Sequence, residues 1–261
     1  MIQPRLKQLL NQLPNAWMHT GLMILGQTGS HAYGTETETS DVDYKGIAVP
    51  TPDHYFGFNP AKEYNGPSMA KQQKNKKDDI DIIIMPIAKF VKSATNGHPN
   101  DLELLFLKES DYVYLNDYGR ALIDIRQHFL SKKTGHRFYG YAKSQTQKML
   151  ELKSNGEANP ETIAKYGYDT KFYMHTVRLL TSAITILKTR EFHVKHLQAD
   201  ELKALRNGKH TLAQAVENIE VLNKKLLAAH GNSQLPEEPE WEFIEKQLTR
   251  ITSSFMKNEY L

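Results

Sequence analysis

Asp41 and Asp43 stand two residues apart in SDVDYKGIAVP, and Asp81 sits in the run IDIIIMP. In an extended strand, alternate residues share a face. The first two carboxylates therefore point one way, while Val42 and Tyr44 point the other, toward a core. Like charges held together repel unless a cation neutralises them. Mg²⁺ suits such oxygen ligands and is usually held by one or two carboxylates together with substrate phosphates. Asp81 is flanked by Ile80, Ile82, Ile83 and Ile84. An acid in so apolar a run needs a partner or a cation, because burying an unpaired charge is costly. If the two strands are neighbours, three carboxylates converge, as two-metal phosphoryl or nucleotidyl transfer requires. The plain alternative for D-x-D is a solvated loop or turn, and Asp79, beside Lys76 and Lys77, reads equally as a solvated acid. A calcium loop is excluded. Counted from Asp41, it would put Lys45 and Pro52 where oxygen ligands are needed.

A turn precedes the pair. Gly29 and Ser30 follow the apolar run LMILG. A glycine there lets backbone amides approach an anion closely, and a serine hydroxyl adds a donor. Neither a G-K-[S/T] phosphate loop nor G-x-G-x-x-G is present. Alone, Gly-Ser is often just a tight turn. The order carries the weight: strand, Gly-Ser, about ten residues, D-x-D on a strand, then a later strand with one acid.

These groups must be positioned by the surrounding elements. PRLKQLLNQL has helical spacing and stops before Pro14. GLMILGQ, DVDYKGIAVP and IDIIIMP read as strands. TPDHYFGFNPAKEYNGPS reads as an ordered loop with room for one short strand, and KQQKNKKDD as an exposed turn. AKFVKSA begins a helix that breaks near Asn96-Gly97-His98-Pro99, and LELLFL is open between helix and strand. Beyond about residue 117 helical periodicity dominates, with helices expected over 118–130, 136–154, 161–189, 199–229 and 239–257 and a linker at 156–160. The spacing predicts an α/β portion over 1–117 and a helical portion over 118–261.

The 261 residues suffice for a well-buried core, and 39% hydrophobic with 24% charged residues describes a folded globule. A net charge of +3 does not by itself declare a nucleic-acid binder. There are no cysteines, which excludes disulfides, thiolate metal sites and a cysteine nucleophile. No apolar run approaches the ~20 residues of a membrane span, and the first residues lack the look of a signal peptide. A cytoplasmic protein without membrane partners is expected, its oligomeric state left open.

The ordered pattern resembles the nucleotidyltransferase superfamily of DNA polymerase β. More closely, the chain is similar to the RNA-ligase-associated, RNA-repair nucleotidyltransferases of bacteria and phages. The resemblance rests on GSHAYGTETETSDVDYKGI (29–47), DIIIMPIAKFVKSATNGHPNDLELLF (81–106), HRFYGYAKSQ (136–145) and YGYDTKFYMHTVRLL (166–180). It implies an α+β fold, a polymerase-β-like core of mixed sheet with helices, followed by an all-helical C-terminal region. It also implies that Asp41, Asp43 and Asp81 are catalytic metal ligands, Asp81 helping to deprotonate the attacking hydroxyl. Gly29 and Ser30 would contact nucleotide phosphates. Two Mg²⁺ ions are implied, with Mn²⁺ as a substitute. Pro86 departs from the polar residue expected after the third strand and should shift where the next helix begins.

Tyr168, Lys171, His175 and Arg178 fall at helical spacings of three and four. As one polar stripe they would make a poor core but a good nucleotide wall, with cations for the triphosphate and an aromatic for the base. The alternative is a solvated stripe. HRFYGYAKSQ interleaves basic and aromatic residues, among them Arg137 and Lys143, which suits either single-stranded nucleic acid or domain packing. Lys71, Lys74, Lys76 and Lys77 form either a solvated turn or a clamp on a polynucleotide backbone. His98 and Asn100 have no assigned role. The expected activity is transfer of a nucleoside monophosphate from a nucleoside triphosphate to an acceptor hydroxyl, foremost an RNA 3′ end. Adenylylation of a protein or small molecule and a non-catalytic nucleotide-binding role are the alternatives.

Overall fold

The computed structural model describes residues 4–67, 80–151 and 160–261. Their contacts form two units. The first runs to Thr95, resumes over Asn100–Phe129 and closes with Glu240–Leu261; the second is Asn96–Pro99 with Leu130–Pro239.

The first unit is built on five strands: β1 (Leu22–Thr28), β2 (Val42–Ala48), β3 (Tyr64–Pro67), β4 (Ile80–Pro86) and β5 (Tyr112–Leu115), in the order β3-β4-β2-β1-β5. The pair β2–β4 is parallel and the other pairs are antiparallel. Alternation along β2 and β4 fixes the faces. Tyr44, Ala48, Ile80, Ile82 and Ile84 pack with Leu6 and Leu10 of α1 (Pro4–Asn11) and with Trp17 and Met18 of α2 (Trp17–Thr20). Asp43 and Lys45 alternate with these core residues and belong to the opposite face. The turn after β1 is one short helix, α3 (Gly29–Tyr33), and a further helical turn, α4 (Asp53–Phe56), stands in the expected loop ahead of β3. Pro86 ends β4, and α5 (Ile87–Thr95) begins at the next residue.

The segment left open between helix and strand is α6 (Pro99–Leu105), with Leu102, Leu104 and Leu105 fully buried. The edge strand β5 was not foreseen. Its four residues, YVYL, are too few to show alternation, and none of them is fully buried. α7 (Asp117–Asp124) follows, capped by Asn116, whose side chain accepts from Gly119 N.

Residues 240–261, expected in the helical portion, group with the sheet instead. In α13 (Trp241–Glu259), Ile244, Ile251 and Phe255 are buried at spacings of seven and four, one helix face. Phe255 meets Tyr118 of α7 edge-on at 4.9 Å. Beyond the helix, the Tyr260 hydroxyl donates to the carbonyl of buried Val49 at 2.6 Å. Tyr260→Phe should therefore cost about 1–2 kcal/mol, because it strands a buried carbonyl. Urea unfolding would read this as a lowered midpoint with unchanged slope. An unchanged midpoint would mean the bond contributes nothing to the unit.

In the second unit, α10 (Thr170–Thr189) packs against α8 (Lys132–Leu150), α11 (Ala199–Arg206) and α12 (Leu212–Gly231), with α9 (Pro160–Tyr166) before it. The single helix expected over 161–189 is two. Gly167 takes a left-handed φ of +81°, and the Asp169 side chain then caps α10 by accepting from Lys171 N and Phe172 N. The helix expected over 199–229 also splits. Thr211 and Gln214 cap α12 reciprocally: Thr211 N donates to Gln214 Oε1 (2.9 Å) and Gln214 N to Thr211 Oγ1 (3.3 Å).

Candidate active site

The parallel register of β2 and β4 sets Asp43 directly beside Asp81. Asp41, just ahead of β2, lies on the same side as Asp43. All three are half-buried, and one carboxylate oxygen from each lies within 4.8 Å of the others. At that separation each pair of charges repels by about 3 kcal/mol or more at an effective dielectric of ~20. A cluster of carboxylate oxygens alone, held this close, is a donor set for a hard divalent cation.

The antiparallel pairing of β1 with β2 brings the Gly-Ser turn to the same place. Thr28 is the register partner of Asp43, so Gly29 follows immediately beside that carboxylate. A Cβ built on Gly29 would run into Asp43 Oδ2, and the residue holds φ +67°. Only a glycine fits. The Ser30 hydroxyl oxygen is buried without a hydrogen-bond partner among the described residues. A buried orphan donor is costly, and one beside a candidate cation site suits a phosphate oxygen. The connection back to Asp41 is an ordered turn in which Thr37 N donates to Ser40 Oγ at 2.9 Å. Gly29, Ser30, Asp41, Asp43 and Asp81 are thus brought together by two strand pairings.

Behind them lie polar contacts that the sequence did not announce. Lys45, two residues along β2 from Asp43, is buried and donates from Nζ to Asp101 Oδ1 at 2.7 Å and to Asn100 O at 2.9 Å. Tyr33 OH donates to the buried Glu103 at 2.7 Å. The only hint was two acids, Asp101 and Glu103, at the start of an otherwise apolar helix.

The second unit treats its four predicted nucleotide contacts differently from one another. Tyr168 precedes α10 rather than lying on it, is only 1% exposed, and donates from its hydroxyl to His210 O at 2.8 Å. Its ring belongs to the core of that unit, and burial pushes its hydroxyl up to about 12. Lys171 is exposed on the first turn of α10, whereas Arg178 is buried. The half-buried His175 is pushed down to about 3, first by desolvation and then by Arg178, Lys171 and Arg206. One continuous polar stripe is therefore absent; α10 is the central helix of its unit and buries residues all round. On α8, Arg137 is exposed and donates from Nε to Asn96 O at 3.1 Å, and Tyr141 meets His98 edge-on. Lys143 is exposed. Lys71, Lys74, Lys76 and Lys77 lie outside the described residues.

His175 makes acid stability measurable. The unfolded chain takes up its proton near pH 6.5 and the folded chain only near 3. Between those values the unfolded state binds more protons, so stability is fully present above 6.5 and declines as pH falls toward 3. His196, pushed down to about 4 by burial and Arg178, acts in the same direction. His175→Gln should flatten the loss of stability between pH 6.5 and 4 in urea unfolding. Parallel profiles for the two proteins would show that His175 is not held neutral by the fold.

A family model described as RlaP, the RNA repair pathway DNA polymerase beta family, matches residues 2–257. The chain belongs to this family. It is thereby a member of the nucleotidyltransferases, and the mixed sheet with its surrounding helices is their fold. A protein of Enterobacteria phage T4, named an uncharacterized 38.9 kDa protein of the nrdC-mobD intergenic region, is 32% identical over 122 residues. The match covers 46% of this chain and 36% of that protein, so the chain spans about a third of its relative's length. Two solved structures are similar at 10% identity. One is a nucleotidyltransferase-like protein from Exiguobacterium sibiricum (TM-score 0.32, covering 96% of this chain and 76% of that one). The other is the spectinomycin adenyltransferase AAD(9) from Enterococcus faecialis with ATP and spectinomycin (TM-score 0.40, covering 95% and 96%).

Proposed function

We propose that this family member transfers a nucleoside monophosphate from a nucleoside triphosphate to the 3′-hydroxyl of an RNA, releasing pyrophosphate. The observation that carries the reading is the convergence of Asp41, Asp43 and Asp81 beside Gly29 and the orphaned Ser30 hydroxyl. The RNA acceptor is supported by the family's description as an RNA repair pathway enzyme.

The three aspartates would hold divalent cations, Mg²⁺ foremost. When bound, such ions supply charge neutralisation at the phosphates and a lowered pKa for the acceptor hydroxyl. The chain's own residues do the rest. The Gly29 backbone and the Ser30 hydroxyl orient the phosphate chain. The carboxylate of Asp81 takes the proton of the 3′-hydroxyl as its oxygen bonds to the α-phosphorus. The bond from that phosphorus to the bridging oxygen breaks, and pyrophosphate leaves with the electron pair. Lys171 and Arg178, the cations of α10, are the proposed further phosphate contacts, His175 a minor one and Tyr168 a packing residue. Lys143 and Arg137, with Lys71, Lys74, Lys76 and Lys77, are the proposed contacts to the RNA backbone. Positioning and charge neutralisation account for most of the rate in chemistry of this kind.

Purified protein, Mg²⁺ and triphosphates labelled at the α-phosphate decide the matter with two RNA oligonucleotides, one ending in a free 3′-hydroxyl and one in a 3′-deoxy residue. Label joined to the first RNA alone is expected. Label found only on protein or on a small molecule would replace RNA with another acceptor.

A further inference from the structure

The five residues of the proposed site come from three places: Gly29 and Ser30 from α3, Asp41 and Asp43 from the entry to β2 and its second residue, and Asp81 from β4, which runs straight into α5. Each of those places sends one polar side chain to the same helix. From β2, the Lys45 ammonium reaches Asp101 Oδ1 (2.7 Å) and Asn100 O (2.9 Å). From α5, the Ser93 hydroxyl donates to the other oxygen, Asp101 Oδ2, at 2.5 Å. From α3, the Tyr33 hydroxyl donates to Glu103 Oε2 at 2.7 Å. The side chains of Lys45 and Asp101 are 9% and 6% exposed, and Glu103 is 1% exposed.

Burying an ion pair and a carboxylate is an expensive way to hold a helix on a sheet. Apolar side chains of similar volume would do so at least as well. What the polar links add is direction: each fixes one donor on one oxygen. Both oxygens of Asp101 are engaged, from two different elements, so a shift of either β2 or α5 breaks a bond. The carboxylate of Asp43 sits on the first of these elements, and that of Asp81 on β4, which leads directly into the second.

We infer that Asp101 and Glu103 of α6 are positioning residues: Asp101, through Lys45 and Ser93, sets the spacing of the metal-binding carboxylates, and Glu103, through Tyr33, sets the phosphate-binding turn. The inference rests on the proposed reading of the triad. It also gives a purpose to the two acids of the stretch HPNDLELLF.

Mn²⁺ binding, followed by electron paramagnetic resonance on the full chain well below its unfolding temperature, tests this without relying on turnover. Asp101→Asn and Lys45→Met should each weaken Mn²⁺ binding about tenfold or more, the usual size of an effect on the groups that orient metal ligands. Lys45→Arg, which keeps the charge and a donor, should retain most of the affinity. The double variant Lys45→Met/Asp101→Asn decides between positioning and simple charge, since it removes one charge of each sign. Positioning predicts that it stays at least tenfold weak. If the single variants shift affinity in opposite directions and the double returns to the wild-type value, charge alone is at work and the inference is overturned. A lowered melting temperature with wild-type Mn²⁺ affinity overturns it too, leaving a purely structural pair. Tyr33→Phe, the mildest change, should weaken nucleoside triphosphate binding about tenfold while leaving Mn²⁺ affinity unchanged; unchanged triphosphate binding removes the Glu103 half. Asp43→Ala separates this idea from the one beneath it. If that variant binds Mn²⁺ like wild type, the metal reading of the triad itself has failed.

Discussion

Asp43→Ala is expected to lower nucleotide transfer by about a thousandfold, equivalent to about 4 kcal/mol of barrier. Asp43 is the middle of the cluster: its register partners are Asp81 on one side and Thr28 on the other, and Gly29 abuts its carboxylate. Its carboxylate adjoins both the other two acids and the Gly-Ser turn. The same variant carries a second prediction, of opposite sign. Without metal, the three carboxylates repel across less than 4.8 Å. Removing one relieves two of those repulsions, so the metal-free variant should melt higher than the metal-free wild type. Wild type should gain stability on adding Mg²⁺ or Mn²⁺, and the variant should gain much less. Transfer assays with and without metal, alongside thermal melts, read both effects. Equal activity in wild type and variant would end the catalytic reading of the triad.

Gly29→Ala is expected to cost about a hundredfold in transfer, the penalty typical of a displacement of about 1 Å at a reacting centre. Two effects combine. The new methyl group occupies the position of Asp43 Oδ2, so the carboxylate must rotate away. Alanine also resists a φ of +67°. Because the carboxylate moves, metal affinity should fall together with the rate. Ser30→Ala provides the contrast: it deletes only a hydroxyl with no partner among the described residues, so it should raise KM for the triphosphate while sparing metal binding and the fold. If Gly29→Ala keeps full activity, Asp43 Oδ2 is not the working position of that carboxylate.

The acids of the site were legible because their signals are local. A period of two puts Asp41 and Asp43 on one face, and an aspartate amid isoleucines marks Asp81 as held for a reason. What brings them together, the parallel register of β2 and β4, is not local, and the sequence supported it only as a condition. The Lys45–Asp101 pair was illegible for the same reason: its members are 56 residues apart, and a lysine in a strand ordinarily faces water. The stripe on α10 is interrupted for a different reason. Its spacing is helical, but Gly167 and the Asp169 cap start the helix after Tyr168, and packing against three other helices buries Arg178. Tertiary context overrode a pattern that was locally sound. The sheet-bound helix α13 shows the same limit, since its apolar face fits any partner and nothing in its own residues says which unit it joins.

The return of residues 240–261 to the sheet has a consequence for how the protein is made. Synthesis runs from the N-terminus, so a nascent chain that has reached residue 239 already contains every residue of the triad and the whole of the second unit. It still lacks the helix that supplies Ile244, Ile251 and Phe255 to the first unit, and the Tyr260 hydroxyl that Val49 awaits. The helical unit can be complete on the ribosome while the first unit still exposes the apolar surface that α13 covers. The newly made chain is therefore exposed to aggregation and proteolysis for longest at its sheet, the part that carries the three aspartates.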